Sequence, residues 1–277
     1  MNYGITNQSG KINFSECKKI IKLAEKNGIF TVDTAPKYGD AEKILGKIGV
    51  NRWNVTTKLP PTTEFQNFSK KYDVNQIVRN SLKRLKIKSL YGLLIHSSYD
   101  FKNNGSKIIK KLKKLKKNGK IKKIGISITN FEDLKFVLKK LPIDIIQIPF
   151  NIFDQRLKNS GMLNTLIAKG IEIHIRSIFL QGLILQNAKQ LPQQFIHWKN
   201  SWEKLENFTK KKKISKIDLC LNFSLYRNEI SKVIIGLDNL KQLKQILKVK
   251  KAKIHYPTSL AVNNQLLITP NMWRYLQ

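Results

Sequence analysis

Apolar residues along the chain follow two alternating rhythms. Short unbroken apolar runs, the pattern of buried parallel strands, are predicted at 29–33, 53–57, 91–95, 123–126, 143–146, 171–175 and 231–235. Between them, apolar positions recur every three or four residues, as on one face of a helix. Ser15 is expected to cap a first helix that turns Ile20, Ile21 and Ala24 inward and closes at Asn27-Gly28. Asp40 is expected to open a second carrying Ile44 and Leu45, and 74–85 a third with Ile77, Val78, Leu82 and Leu85 on one side. Further helices are predicted at 106–118, 131–140, 160–169, 198–211, 215–224 and 240–247. Residues 1–11 and 179–194 read as loops, and 250–277 shows no clear period.

Strands alternating with helices of this length specify βαβ units and a parallel sheet. No composition break or Pro/Gly linker divides the chain, so residues 1–277 are expected to form one domain. That length suits an α/β fold of the (β/α)8 TIM barrel type, which takes about 250 residues. An open doubly wound sheet is disfavoured, because no Gly-x-Gly-x-x-Gly follows a strand and opens a helix. In such a barrel the chemistry sits at the carboxyl ends of the strands. Here those ends carry Asp33, Lys58, His96, Ser127, Gln147, Arg176 with Ser177, and Gly236. Three successive strand ends bearing Asp, Lys and His are informative, because an unpaired buried charge is costly. His174 falls inside a strand and reads as a core histidine, while His197 and His255 show no partner in sequence.

Composition changes this picture little. Hydrophobic residues at 41% can fill a core, and no apolar run approaches the length of a membrane span. Residues 1–14 are polar and lack a secretory core, and Cys17 and Cys220 are too few for a disulfide framework. A cytoplasmic protein with reduced thiols is expected. Charge is the exception: 52 Lys plus Arg against 18 Asp plus Glu leave a formal +34. Such an excess attracts nucleic acid, anionic lipid or anionic substrates. Yet the abundance of Lys, Asn and Ile is what A/T-rich coding DNA produces, and lysine takes the non-apolar positions of the helical pattern at 108–117. Aromatics are not interleaved with the basic runs, as a base-stacking surface requires. No specific nucleic acid and no membrane are therefore expected as partners.

The stretch Asp33-Thr34-Ala35-x-x-Tyr38-Gly39-x-x-Glu42-x-x-Leu45-Gly46 closely resembles the signature of the aldo-keto reductases. That family's barrel enzymes reduce carbonyls with a nicotinamide cofactor. The resemblance implies a catalytic tetrad of Asp33, Tyr38, Lys58 and His96. Its logic also stands on chemistry. A carbonyl accepting hydride develops alkoxide charge and needs a proton donor, and an isolated phenol is a poor one at neutral pH. The Lys58 ammonium would favour loss of the Tyr38 proton, and Asp33 would hold the lysine in place. His96 would orient the carbonyl oxygen or relay the proton.

The likeness continues through the chain. Gly125-Ile126-Ser127 resembles the family's Gly-Val-Ser, and the resemblance assigns Ser127 and Gln147 to the nicotinamide carboxamide. Asn151-x-x-Asp154-x-Arg156 resembles the loop after the sixth family strand. Arg176 and Ser177-x-x-Leu180-Gln181-Gly182-Leu183 resemble the segment covering the pyrophosphate, and Gly236 with Gln242 the last cofactor contact. There are three departures. A family strand carrying Gly-Thr normally precedes the stretch matching Tyr3-Gly4-Ile5, so the barrel is expected to be one strand short at its N-terminus. Ile128 stands where many members have Asn. Gly236, Asp238 and Gln242 are not basic, so NADP and NAD both remain open, with Lys241 or Lys244 as substitute bases. The expectation is an NAD(P)H-dependent reductase of an aldehyde or ketone, sugar-derived compounds included. The alternatives are a catalytically weak cofactor-binding barrel serving as a regulatory or scaffolding subunit, and a basic nucleic-acid-binding protein.

Overall fold

A computed structural model of the chain, described over residues 10, 12–62, 72–96 and 98–276, shows the expected alternation of helices and strands. Seven strands are described: β1 (Thr31–Asp33), β2 (Asn54–Lys58), β3 (Leu90–Ile95), β4 (Ile121–Ser127), β5 (Ile145–Pro149), β6 (Glu172–Arg176) and β7 (Lys232–Val233). The stretch Tyr3-Gly4-Ile5, on which the expectation of a missing strand turns, lies outside the described residues, as do residues 63–71 and the rest of the predicted loop 1–11 apart from Gly10. The chain divides into two compact units. One comprises Ile12–Gln147 with Gly170–Glu172, and the other contains Ile148–Lys169 with Ile173–Gln277.

In the first unit, β1 to β5 lie side by side in sequence order, and every pairing is parallel. Their inner residues, including Leu93, Leu94, Ile124, Ile126, Ile145 and Ile146, are buried, as a parallel sheet covered on both faces requires. Five helices pack around it: α1 (Phe14–Lys26), α2 (Ala41–Ile48), α3 (Val74–Leu85), α4 (Ser98–Lys117) and α5 (Glu132–Lys140). On α4, Ile108, Leu112 and Leu115 are buried while Lys110, Lys111, Lys113 and Lys114 face solvent, the division read from the sequence.

Several local expectations are corrected. α1 is capped by Asn13, whose side chain accepts from the Glu16 amide at 2.8 Å, and Ser15 falls inside the first turn. Ile29 and Phe30, read as buried strand, precede β1 and are each 38% exposed, with Phe30 leaning on Trp53 at 5.8 Å. Asp40 occupies the N-cap of α2 without a side-chain cap bond. α4 starts at Ser98 rather than 106. Asn103-Asn104-Gly105 looks like a loop, but a Cβ on Gly105 would come within 2.6 Å of the Phe101 ring, so close packing asks for the glycine.

In the second unit, β6 and β7 pair in parallel, with His174 opposite Lys232 and Ile175 opposite Val233. The predicted helix 160–169 is two, α6 (Arg156–Asn159) and α7 (Met162–Ala168), and the predicted strand 231–235 shortens to two residues. The 179–194 loop holds tight turns at Leu183–Leu185 and Ala188–Gln190, and a third, Gln193–Trp198, leads into α8 (Lys199–Lys212). α9 (Lys216–Leu225), α10 (Leu240–Leu247) and the short α11 (Gln265–Ile268) follow, and the aperiodic tail is made of such short pieces. The core is aromatic. Phe153 meets Trp202 edge-on at 4.9 Å, Phe150 lies 4.9 Å from Phe223, and the Trp202 indole donates to the Leu183 carbonyl at 3.1 Å. His174 is fully buried in β6, as expected of a core histidine. Both cysteines are unbridged and helical, and burial pushes the Cys220 thiol up to about 12. No helix among the described residues is long and apolar enough to cross a membrane.

One contact fixes how α2 lies on the sheet. A Cβ on Gly46 would sit 2.1 Å from the Arg84 carbonyl oxygen at the end of α3, so only glycine lets the two backbones approach this closely. Beside it, the buried Glu42 accepts from Thr57 Oγ1 at 2.8 Å and from Arg84 Nε at 2.7 Å, joining α2 to β2 and to α3. Gly46→Ala is therefore expected to destabilise the protein by about 3 kcal/mol, the upper part of the overpacking range. A urea melt measures this, and an unshifted midpoint means the helices can part freely.

Candidate active site

The register of the first unit places the predicted catalytic residues. Val32 and Asp33 lie opposite Val55 and Thr56, so β2 extends beyond β1 and Lys58 is its last residue. From there Lys58 Nζ reaches back to Asp33 Oδ2 at 2.5 Å and donates to the Thr34 carbonyl at 3.2 Å. The pair is deeply enclosed, with side-chain exposures of 4% for Lys58 and 9% for Asp33. Gln147, on β5, donates from Nε2 to the other carboxylate oxygen of Asp33 at 2.8 Å. Asp33 therefore accepts from an ammonium on one oxygen and a neutral amide on the other.

Tyr38 follows β1 on a tight turn, its amide donating to the Ala35 carbonyl at 3.0 Å. That turn brings the phenol ring to Lys58, whose Nζ lies 5.1 Å from the ring centroid. His96 is half-buried just past the end of β3, beside the strand that carries Lys58. Asp33, Tyr38 and Lys58 are thus brought together by direct contacts, and His96 by its strand. Ser127 ends β4 and pairs with Gln147 across the sheet, while the amide of the buried Ile128 donates to the Gln147 carbonyl at 2.8 Å.

Sequence reading missed two fastenings. Gln147 was assigned only to the cofactor, and its bond to Asp33 spans 114 positions, beyond the reach of local pattern. Asp100, fully buried in the first turn of α4, accepts from the backbone amide of Thr62 at 2.8 Å and from its hydroxyl at 2.6 Å. This clamp ties the segment leaving β2 to the segment leaving β3. An acid in a helix's first turn looks like an ordinary end-of-helix charge, so no sequence signal marks it.

The remaining cofactor candidates lie in the second unit. Arg176 ends β6, and its Nη1 donates to Ser177 Oγ at 3.3 Å. Ser177 (φ 60°), Leu180 (48°), Gln181 (54°) and Gly182 (86°) all adopt left-handed backbone. For non-glycine residues this costs about 1–3 kcal/mol each and persists only where the surroundings enforce it. The surroundings are visible: Asn151 Nδ2 donates to the Ser177 carbonyl at 2.9 Å, and the Leu180 amide reaches the same oxygen at 2.9 Å. Asn151 Oδ1 in turn accepts from the amides of Phe153 and Asp154, and Asp154 is paired with Arg156 through two bonds of 2.8 Å. Gly236 is exposed just past β7. Gln242, in the first turn of α10, is folded back on its own loop, its Oε1 accepting from the Asp238 amide at 2.7 Å.

Each unit, taken by itself, offers groups of the kind that part of a nicotinamide cofactor needs. A carboxamide needs a donor and an acceptor at one place, and the Ser127 hydroxyl and Gln147 amide, opposite each other at the strand ends, offer both. A pyrophosphate needs a cation and a rigid loop, and Arg176 with the 177–182 turn supplies those.

Comparisons with known proteins identify the family and the fold. The profile of the aldo/keto reductase family matches residues 1–256. L-galactose dehydrogenase of Arabidopsis thaliana is 27% identical over 259 residues, which cover 85% of this chain and 78% of that protein. Glyoxal reductase of Bacillus subtilis is 30% identical over 179 residues, 63% of this chain and 62% of the relative. Among solved structures, the holo form of an aldo-keto reductase from Bacillus halodurans superposes with a TM-score of 0.74. The match covers 96% of this chain and 88% of that one at 18% identity. A glycerol dehydrogenase of Gluconobacter oxydans gives 0.71 at 20% identity, over 87% and 82% of the two chains. The fold is therefore the (β/α)8 barrel type of this family, as the strand pattern led one to expect.

Truncating Asp33 leaves an enclosed ammonium bonded to the Thr34 carbonyl but without its counter-charge. Asp33→Ala is expected to destabilise the protein by about 3–5 kcal/mol, the penalty for orphaning one member of a buried pair. The double variant Asp33→Leu with Lys58→Met removes both charges and should recover most of that loss in a urea melt. If the double variant is no more stable than Asp33→Ala, burial of the unpaired charge is not the cause.

Proposed function

The chain belongs to the aldo/keto reductase family, and from that premise we propose that it reduces a small aldehyde or ketone to the alcohol with Tyr38 as general acid. Family membership makes it an NAD(P)-dependent oxidoreductase; the further steps rest on its own residues. The observation that carries the proposal is the Lys58 ammonium, held by Asp33 at 2.5 Å and presented to the Tyr38 ring at 5.1 Å. The bound nicotinamide supplies the hydride. As alkoxide charge develops on the substrate oxygen, the Tyr38 hydroxyl gives up its proton, and the adjacent ammonium stabilises the phenolate left behind. Asp33 fixes the ammonium in place. Gln147, by bonding the second oxygen of Asp33, fixes the acid in turn. His96 orients the carbonyl oxygen, and a solvent proton restores the tyrosine.

Ser127 and Gln147 hold the carboxamide in this reading. Arg176, Ser177, Leu180 and Gly182 hold the pyrophosphate, and Gly236 and Gln242 the far end of the cofactor. Residues 1–277 then act as one barrel domain in the cytoplasm. Relatives named for L-galactose, glyoxal and methylglyoxal suggest a small, oxygen-rich carbonyl compound as substrate, a sugar-derived aldehyde among them.

The test is a carbonyl panel with NADH and with NADPH, alongside cofactor binding followed by fluorescence. Tyr38→Phe keeps the ring and removes the acid, so cofactor affinity should hold while turnover falls by roughly two decades or more. Lys58→Met should behave in the same way, since the phenolate loses its counter-charge. Turnover near the wild-type rate in Tyr38→Phe removes Tyr38 from the reaction.

A further inference from the structure

The first unit carries a concavity apart from the residues assigned to the reaction. It is a groove of about 760 Å³ lined by α3, the end of α4 and the turns that follow them, a volume within the usual range of ligand clefts. Lys86 and Lys88 precede β3, and Asn118 and Lys120 precede β4, so the groove opens at the amino ends of the strands. Lys58 and His96 leave from the carboxyl ends, a strand length of roughly 17–20 Å away. Neither substrate nor cofactor is placed here.

Its charge is one-sided. Six of the twelve lining residues are cations (Arg79, Lys83, Lys86, Lys88, Lys114 and Lys120) and none is acidic. With 52 Lys plus Arg among 277 residues, exposed cations are common in this chain, so the absence of any acid and the aliphatic floor are what set the groove apart. Among the described residues, Arg79 has a carboxylate nearby, Asp73 at 3.9 Å, whereas no ion pair is formed by Lys83, Lys86, Lys88, Lys114 or Lys120. The α3 and α4 C-termini favour cations in their last turns, which explains how the cluster is tolerated. It does not neutralise the cluster.

The floor is aliphatic. Leu82 and Ile87 are half-buried and are brought together by the cap of α3, where Lys86 takes the left-handed conformation (φ 55°) and the Ile87 amide donates to the Leu82 carbonyl at 3.2 Å. No aromatic side chain lines the groove. Bases therefore have no ring to stack on, whereas an aliphatic side chain has apolar surface to cover.

We propose that this groove docks an acidic segment of another protein, in which aliphatic side chains alternate with carboxylates. The aliphatic groups cover Leu82 and Ile87, and the carboxylates meet the ring of lysines. Electrostatic complementarity sets specificity and encounter rate, and apolar burial sets residence.

The probe is a fluorescein-labelled peptide of glutamates interrupted by leucines, followed by anisotropy at physiological ionic strength, where long-range attraction is screened. Lys83→Glu with Lys120→Glu should weaken binding by at least about tenfold. Lys210→Glu with Lys211→Glu makes the same change of net charge on the exposed end of α8 and should leave affinity within about twofold. Serine in place of the probe's leucines should also weaken binding about tenfold. Carbonyl turnover should be unchanged in both double variants. The proposal is overturned if the two double variants weaken binding equally, if the serine peptide binds as well, or if no binding is seen. It is also overturned if a single-stranded oligonucleotide binds more tightly and depends on Lys83 and Lys120.

Discussion

An ammonium enclosed at the end of a parallel sheet is the constraint on which the site depends. Lys58 has lost nearly all of its water, and a charge in that state must be matched locally. Asp33 matches it, Thr34 adds a carbonyl, and Gln147 ties down the acid. None of this serves stability well. Buried ion pairs are weak stabilisers, and apolar replacements of the same volume are often neutral or better. A pair kept in such a place is set beside the Tyr38 ring, whose centroid lies 5.1 Å from the ammonium, and that neighbour is the one on which the proposed reaction turns.

Much of this was legible in the sequence because parallel strands that start at one edge also end at one edge. The apolar runs ending at Asp33, Lys58 and His96 mark one rim of one sheet. Helix α3 and helix α10 were readable to the residue, since each has a strong apolar face and clear ends. Reading failed where tertiary packing overrode local preference. Gly105 lies just outside the predicted helix 106–118 but is within α4, against Phe101. The two-residue β7 takes its form from pairing with β6 rather than from its own pattern. The bond from Gln147 to Asp33 and the clamp from Asp100 to Thr62 join distant residues, and periodicity carries no information about them.

The charge excess divides into two kinds. On α4 it follows from composition, with Lys110, Lys111 and Lys113 exposed opposite a buried Ile-Leu-Leu stripe. Where acids are available they are used. Glu172 gathers both the Tyr91 hydroxyl and the Lys123 ammonium, and there burial and the neighbouring carboxylate raise the Tyr91 pKa. With 18 acidic residues in the chain, such matching is limited, and most lysines are left to water and salt. A lysine-rich helix face is thus weak evidence of a partner, while an acid-free concavity with an aliphatic floor is stronger evidence.

The close approach of α2 to α3 has a bearing on recognition itself. Within the stretch from Asp33 to Gly46, Asp33 and Tyr38 are the residues proposed to serve the reaction, whereas two others face the scaffold: Glu42 is spent on Thr57 and Arg84, and Gly46 on the room that the Arg84 carbonyl needs. These two halves answer to different pressures. A descendant that lost its tyrosine would still need the glycine and the glutamate to stand up, and would go on spelling half of the phrase by which its ancestors are known. The phrase as a whole therefore testifies to ancestry, and only its first half to chemistry.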